Sequence, residues 1–389
     1  ILVYAKSDAA SLKGLPLTEA DTKIYDLEDE YGKYLTRPLR KTGGEDRRED
    51  RPTMYYAVTD PDGSEVFPVG PGGYESRWRC GPDTYQSLLN DNRIAWKKVK
   101  EGGELIWKPY QKFYLEGRLK QPSNLWSKIE GNKKASIDVK NLLDGKIFDF
   151  PKPVEMIERC IEISTEDGDC ILDFFAGSAT TGHAALSFSA KHNTSRRFIL
   201  VQLPEPTEPK TAAFKAGYQN IADIGKERVR KAADKIKSEN SSFHGDLGFK
   251  VFKLDSSNIR AWNPDASDLE KSLLDHAEHL VEGRSEQDVL YELLLKRGVD
   301  LTVPIEEKAI AGKKVYSIGF GVLFACLDES ITKDEIDPLA QGITAWHKEL
   351  EPASDTQVVF RDSAFADDIA KTNMTAILEQ NGIAHVRSL

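Results

Sequence analysis

The sequence has few of the features that mark secreted, metal-binding or membrane-spanning proteins. Its seven histidines show no metal-ligand spacing, and no two of its four cysteines form a Cys-x-x-Cys pair: Cys80, Cys160, Cys170 and Cys326. This spacing argues against a zinc site or a disulfide framework and favours a reducing, cytoplasmic location. No apolar run approaches the roughly 18 to 20 residues that span a bilayer. We therefore expect neither a bound metal nor a membrane partner.

Positively charged residues are fewer than negatively charged ones over the whole chain, but not in every segment. The 389 residues carry a net charge of −10. Residues 77–140 hold 14 Lys and Arg against 7 Asp and Glu, whereas residues 241–389 hold 15 against 26. Because salt screens electric fields beyond roughly 10 Å, the local balance decides which partner a surface attracts. The basic middle of the chain can therefore face a polyanion although the whole protein is acidic.

The pattern of apolar residues changes twice along the chain. Residues 51–120 contain short β-like runs separated by the turns PDG, GPGG and EGG, together with three of the six tryptophans. Residues 153–240 alternate helical and buried-strand patterns in the order helix, strand, helix, strand, helix, which is typical of a parallel α/β sheet. From about residue 241 strands and helices mix, which predicts a separate α+β domain.

One junction in the α/β part has the composition of a binding loop. The stretch CILDFFAGSATTGHAAL, residues 170–186, predicts a buried strand, a turn of small residues and a helix. Asp173 ends the strand, and hydroxyl side chains follow at the helix N-terminus, where anions are stabilised. The loop is neither G-x-G-x-x-G nor a Walker loop. These residues alone leave two interpretations open: a loop that binds a small molecule such as a nucleotide, or a plain turn.

A set of motifs in a fixed order gives the loop a family context. DFFAGSATT resembles the D-P-F-x-G-S-G-T-T loop that binds S-adenosylmethionine in amino-methylating DNA methyltransferases of the β class. FDFPKPVEMIERCIEIS is similar to the F-x-x-P-K-P-x-x-L-I segment of that class, and RRFILVQLPEP resembles its second nucleotide-binding strand. With GYQNIADIGKERVRKA and VVFRDSAFADDIAKTN, the set resembles the modification (Mod) subunit of Type III restriction–modification systems over nearly the whole chain.

The resemblance implies a fold and four segments. It implies part of a Rossmann-like methyltransferase core in the α/β class, an inserted β-rich recognition domain and a C-terminal α+β domain. Residues 1–10, which begin ILVYAK, would hold the last strand of the catalytic half. Residues 11–135 would form the target-recognition domain, residues 136–240 the cofactor-binding half and residues 241–389 an assembly domain.

The resemblance also implies which residues bind S-adenosylmethionine. One wall of the site would be formed by Phe150, Pro151, Lys152 and Pro153, with the lysine able to meet the carboxylate. The methionine end would lie against Asp173, Phe175, Ala176 and Gly177, with its polar groups beside Ser178, Thr180 and Thr181. Gln202 stands where many relatives have an acid that holds the ribose. Phe174 and Ala179 depart from the family pattern, and the Cβ of Ala179 disfavours a positive φ there.

The catalytic motif of the family is missing from these residues. Its D/N/S-P-P-Y/F motif holds the adenine amino group and stacks on the flipped base. No Pro-Pro dipeptide occurs anywhere in the 389 residues. In the β class this motif comes first, so the resemblance would place it before Ile1. We therefore assign no catalytic residue and expect residues 1–389 to be inactive alone.

The basic middle would then contact duplex DNA. Cations contact phosphates, and arginines read guanine edges in the major groove. The alternative is that the interleaved aromatic residues form a small core and the lysines are ordinary surface. The expected DNA-binding residues are Arg77, Arg79, Lys97, Lys98, Lys108, Lys112 and Lys120.

Three functions follow from these patterns. The first is a Type III DNA adenine-N6 methyltransferase subunit that binds S-adenosylmethionine and DNA, forms a homodimer and pairs with a restriction (helicase–nuclease) subunit. The second is a non-catalytic DNA-binding module that recruits the restriction subunit. The third is an unrelated nucleotide-binding enzyme, which requires a catalytic acid, base or nucleophile beside the loop, and the sequence shows no such constellation.

Overall fold

The structure is a computed structural model that describes residues 4–127, 129–260 and 280–389. The chain divides into two compact units, Ile1–Gly248 and Phe249–Leu389. The strand expected at the start of the chain falls partly outside the described residues. Residues 4–10, which are described, form bends and a turn rather than a strand. No helix within the described ranges is both long and apolar enough to cross a bilayer.

The first part of the first unit is built on a four-stranded antiparallel sheet. Its strand order is β2–β3–β7–β6: β2 (Leu27–Asp29), β3 (Gly32–Pro38), β7 (Glu104–Tyr114) and β6 (Ile94–Glu101). Gly102 and Gly103 close the tight turn between β6 and β7. Both have a positive φ, a backbone conformation that is unfavourable for most other residues. Trp78, 2% exposed, centres a small core on one face of the sheet together with Leu39 and Ile94.

Shorter elements surround this sheet. Two of them are two-stranded ladders, and the others are short helices and 3₁₀ turns. The ladders are β1 (Leu15–Pro16) with β8 (Leu119–Lys120), and β4 (Val58–Thr59) with β5 (Glu65–Val66). The helices are α1 (Glu19–Thr22) and α2 (Pro82–Asn90), and the 3₁₀ turns are Arg48–Asp50 and Pro52–Met54.

The second part of the first unit contains the parallel strands expected from the sequence. Its elements are α3 (Asn132–Leu142), α4 (Val154–Ser164), β9 (Cys170–Asp173), α5 (Thr180–His192), β10 (Arg197–Leu200), α6 (Ala212–Lys215) and α7 (Ile221–Glu239). Strands β9 and β10 pair in parallel, with Asp173 opposite Leu200. Small residues let α5 approach the strands, because a Cβ at Gly182 would lie 2.9 Å from the Leu200 side chain.

The second unit is a five-stranded mixed sheet with helices on both faces. Its sheet is β11 (Ile305–Ile310), β12 (Lys313–Ile318), β13 (Leu323–Cys326), β14 (Gln357–Phe360) and β15 (His385–Ser388), in that order. Its helices are α8 (Glu286–Arg297), α9 (Lys333–Leu350) and α10 (Asp368–Gln380), with a 3₁₀ turn at Asp362–Ala364. Phe324 packs with α9 and α10, whereas the next residue, Ala325, packs with α8. Residues that alternate along the strands therefore bury both sides of the sheet. With the parallel strands and helices of the first unit, this confirms the mixed α/β class.

Candidate cofactor loop and nucleic-acid interface

The loop at residues 174–179 joins the carboxyl end of β9 to the first turn of α5. The Asp173 carboxylate accepts a hydrogen bond from the Phe175 N–H at 3.1 Å through Oδ1. Its Oδ2 accepts a hydrogen bond from the Thr181 hydroxyl at 2.6 Å. One side chain at the strand end therefore fixes both the start of the loop and the start of the helix.

The segment that follows the neighbouring strand β10 fixes the middle of the loop. The Ala176 N–H donates to the Val201 carbonyl at 3.1 Å. The Gly177 N–H donates to the Gln202 Oε1 at 2.7 Å, and the Gln202 Nε2 donates to the Leu203 carbonyl at 3.1 Å. The Gln202 amide, expected at the ribose, therefore also holds the loop.

The backbone turns through two left-handed residues. Gly177 has φ +52°, and Ala179 has φ +57°. The expectation that a Cβ at residue 179 argues against a positive φ is therefore wrong. The Ala179 N–H closes a tight turn onto the Ala176 carbonyl at 2.7 Å. Gly225 of α7 leaves room for the alanine, because a Cβ there would lie 3.3 Å from the Ala179 Cβ.

A buried arginine lies beneath the loop. Arg228 of α7 is 1% exposed. Its Nη1 donates to the Ser178 hydroxyl at 2.8 Å and to the Thr180 hydroxyl at 2.7 Å. Its Nε has no hydrogen-bond partner among the described residues. Burial lowers the pKa of Arg228 to about 10, so the side chain remains charged at neutral pH. Burial, and then this guanidinium, lower the pKa of His183 to about 3, so that histidine is neutral.

The loop therefore has a polar inner side and an apolar outer side. Ser178, Thr180 and Thr181 are 3%, 6% and 8% exposed, and their hydroxyls bond to Arg228 or Asp173. This revises the expectation that the three hydroxyls lie beside a ligand's polar groups, because they point into the protein. Phe175, in contrast, is 83% exposed on the outer side.

The FPKP segment passes close to the loop. A Cβ at Gly177 would lie 3.5 Å from Phe148 Cζ, two residues before the segment begins. Phe150 has φ +56° and is 82% exposed, and Lys152 is exposed. Pro151 and Pro153 are buried, and the latter precedes α4. The structure thus brings the two expected walls together through Phe148, and each presents an exposed aromatic ring.

Arg228→Met should loosen the loop without unfolding the unit. The substitution removes charged hydrogen bonds to two hydroxyls, each of which contributes about 1.5–3 kcal/mol. We expect faster amide hydrogen exchange across residues 176–181 by about tenfold or more, since 1.4 kcal/mol corresponds to one decade. Arg230→Met is the control, because Arg230 lies on the exposed side of the same helix. Equal exchange in both variants would show that Arg228 does not support the loop.

Two of the seven expected DNA-binding cations are buried inside their domain. Arg77 is 5% exposed, and its Nε donates to the Glu45 carbonyl at 2.5 Å. Lys112 is 9% exposed, and its Nζ donates to Asp29 at 2.8 Å. Both cations stabilise the domain internally and are removed from the set that can face a polyanion.

The other five cations lie at or near the surface with different partners. Lys108 pairs with Glu101 at 2.5 Å, Lys120 with Asp21 at 2.6 Å and Lys98 with Asp62 at 3.9 Å. Arg79 donates to the Pro38 carbonyl and the Thr42 hydroxyl. Lys97 donates to the Thr36 hydroxyl at 2.7 Å.

The interleaved aromatic residues divide between core and surface. Trp78 is a core residue, as the alternative interpretation expected. Tyr110 is half-buried beneath the Lys97 ammonium, 5.0 Å from the ring centroid, and Trp107 donates to Asp62. Therefore neither DNA contact nor a small aromatic core accounts for all the aromatic residues of the basic segment.

Sequence comparisons identify relatives among DNA methyltransferases. Residues 82–205 match the DNA methylase family N6_N4_Mtase. The chain is 31% identical over 258 residues to the Mod subunit of the Type III restriction-modification enzyme StyLTI of Salmonella typhimurium. It is 32% identical over 272 residues to the EcoPI Mod subunit of Escherichia phage P1. It is 28% identical over 396 residues to the EcoP15I Mod subunit of Escherichia coli.

These matches cover much of the chain but less of each relative. They span 65%, 64% and 94% of this chain, and 37%, 41% and 58% of the StyLTI, EcoPI and EcoP15I subunits. The resemblance to Type III Mod subunits is thereby confirmed.

Proposed function

We infer that this chain, which carries a DNA methylase segment and is about 30% identical to Type III Mod subunits, is part of a DNA adenine-N6 methyltransferase that uses S-adenosylmethionine. The observation that carries the proposal is the loop anchored by Asp173 beside the FPKP segment. A left-handed, backbone-fixed loop at the carboxyl end of a parallel strand is where open α/β sheets bind ligands. The surrounding elements would form part of a Rossmann-like core.

The residues around the loop suit the cofactor in three ways. The exposed rings of Phe150 and Phe175 offer apolar faces for the adenosine and the methionine chain. Lys152 is exposed and supplies a cation for the methionine carboxylate. The backbone at Ala176 and Gly177 carries no bulk that would keep a ligand away. When bound, S-adenosylmethionine supplies an electrophilic methyl group on sulfur.

Other expected cofactor residues are assigned a supporting role. Ser178 and Thr180 shape the loop through Arg228, and Thr181 shapes it through Asp173. Gln202 orients the Gly177 amide and keeps one amide N–H for a ribose hydroxyl. The buried Pro151 and Pro153 fix the backbone of this wall, which presents the Phe150 ring and the Lys152 ammonium.

We assign residues 11–135 to target recognition on duplex DNA and residues 241–389 to assembly. The local charge of the basic middle supports the first assignment, since cations on one domain attract the phosphate backbone. The −11 balance of the last segment, and the fact that the StyLTI and EcoPI relatives are subunits of restriction-modification enzymes, support assembly with a restriction subunit. We assign a homodimer contact to the same segment.

Titration calorimetry of residues 1–389 with S-adenosylmethionine tests the cofactor proposal. We expect binding at one site, with S-adenosylhomocysteine competing for it. ATP is the control ligand, because it shares the adenosine but lacks the methionine end. Binding of ATP as tight as that of S-adenosylmethionine would instead indicate a general nucleotide loop, and binding of neither would contradict the assignment.

A further inference from the structure

The register of the four-stranded sheet sorts the basic and aromatic residues onto two faces. Directly paired residues lie on the same face, and neighbours along a strand lie on opposite faces. Lys97 pairs with Lys108, so the adjacent Lys98, which pairs with Trp107, points the other way. We call one side the tyrosine face, which carries Tyr34, Thr36, Lys97, Lys108, Tyr110, Lys112 and Tyr114.

The opposite face is used by the domain itself. Ile94 and Trp96 pack into the core around Trp78. Further along β6 and β7, the Trp107 Nε1 donates to Asp62 at 2.7 Å, and Lys98 lies 3.9 Å from the same carboxylate. That face is therefore covered around Ile94 and Trp96 and charge-compensated at Lys98.

On the tyrosine face, two cations are held over aromatic rings. Lys97 Nζ lies 5.0 Å from the Tyr110 ring centroid, and the Thr36 hydroxyl accepts its hydrogen bond. The Arg93 guanidinium carbon lies 5.2 Å from the Tyr114 centroid. Neither cation forms an ion pair with any carboxylate in the part of the chain that the structure describes. Lys108 and Lys112, on the same face, are neutralised by Glu101 and Asp29.

The face ends at a cavity between two arginines. The cavity is about 360 Å³ and is lined by Arg93, Tyr114, Glu116, Gly117, Arg118 and Leu119. The Arg118 Nε donates to the Tyr114 carbonyl at 3.0 Å, and its guanidinium stacks 5.0 Å from the Phe113 centroid. Because Phe113 is the strand neighbour of Tyr114, its ring lies on the opposite face, and Arg118 stacks on that face. The Arg93 guanidinium lies over Tyr114 on the tyrosine face, and a guanidinium presents paired donors that match a phosphate. Glu116 is the one carboxylate among the residues that line the cavity.

We propose that the sugar–phosphate backbone of duplex DNA lies along the tyrosine face, with phosphates contacting Lys97 and Arg93. The proposal rests on the proposed function, because it takes residues 11–135 as a DNA-binding domain. The evidence for this face is its accessible cations without carboxylate partners, held in place by tyrosine rings. Ordered cations of this kind form charge-assisted bonds to phosphate with little loss of side-chain entropy.

Charge reversals on adjacent residues test the face assignment. Lys97→Glu and Arg93→Glu change the tyrosine face, whereas Lys98→Glu and Lys100→Glu make the same kind of change on the other face. Anisotropy of a labelled duplex, over roughly 50 to 200 mM salt, gives affinity and salt slope for residues 1–389 and each variant. We expect each tyrosine-face reversal to weaken binding about tenfold or more and to reduce the salt slope by about one. The opposite-face reversals should change affinity by less than about threefold, typical of uninvolved surface charges.

The outcomes separate the face assignment from the proposed function. Equal or greater losses in Lys98→Glu and Lys100→Glu would overturn the face and leave DNA binding intact. Absence of salt-dependent binding by the unchanged chain would overturn both. Unchanged DNA affinity in Lys97→Glu and Arg93→Glu, with a smaller subunit assembly, would assign the face to a protein partner and also overturn the proposal. Lys97→Gln, which adds no repulsion, should weaken binding in the same direction, and thermal unfolding verifies that each variant is folded.

Discussion

Gly177→Asp should weaken binding of S-adenosylmethionine by residues 1–389 by about two orders of magnitude or more. Gly177 has φ +52°, and a side chain there would meet Phe148 at 3.5 Å. The substitution adds a side chain within the loop, and the added carboxylate repels the carboxylate of the ligand. We therefore expect the dissociation constant to rise by about a hundredfold or more, since two decades correspond to about 2.7 kcal/mol.

Gly168→Asp is the matched control for this substitution. Gly168 also has a positive φ, of +82°, and a Cβ there would have no neighbour within 4 Å. It lies in the turn before β9 rather than in the loop after it. Calorimetry should show normal affinity for this variant. Equal affinity of Gly177→Asp and the unchanged chain would remove the loop from the site.

Residues 1–389 alone should transfer no methyl group to DNA. The lone pair of the adenine amino nitrogen is conjugated into the ring, so the enzyme must hydrogen-bond the amino group and hold it in a near-attack geometry. The flipped base also needs an aromatic ring to stack on. The loop can supply the methyl donor, but no Pro-Pro-aromatic motif occurs in the 389 residues. We expect tritium incorporation into duplex DNA at the level of the Gly177→Asp variant.

Activity should appear when the acceptor side is supplied. A segment of a Mod relative that contains the D/N-P-P-Y/F motif, fused before Ile1 or added in trans, should produce methylation of adenine in duplex DNA. Replacing the Asp or Asn of that supplied motif by Ala should remove the activity. Methyl transfer by residues 1–389 without any addition would show that the catalytic residues lie within this chain, which contradicts this account.

Local pattern was sufficient to predict the strand, turn and helix of the loop. The run CILD became β9, and TTGHAAL began α5, because strand and helix periodicities differ over a few residues. The strand expected within residues 1–10 is not predictable in the same way. Residues 4–10 form bends and a turn, because a strand needs a paired neighbour and a run of apolar residues does not show one.

Contacts between distant elements were harder to predict, although some left a signal. Arg228 follows Ile221 and Ile224 at helical spacing and precedes Ala232, so it falls on the buried face of α7. That periodicity indicates that Arg228 is buried. It does not show that the partners of Arg228 are Ser178 and Thr180, some 50 residues away. Alternation along a strand likewise places Lys97 and Lys98 on opposite faces of their sheet. The left-handed Ala179 left no such signal, since its room depends on Gly225.

Photo-crosslinking with S-adenosylmethionine labelled with tritium in its methyl group tests the central claim most directly. Ultraviolet irradiation of residues 1–389 with this ligand, followed by digestion and peptide mapping, reports which segments touch the ligand. The label should map to peptides that contain Phe150 or Phe175, because their exposed rings lie on the two proposed walls of the site. Excess S-adenosylhomocysteine and the Gly177→Asp substitution should each remove it. Label confined to residues 249–389, or equal label in Gly177→Asp, would contradict the assignment of this loop as the cofactor site.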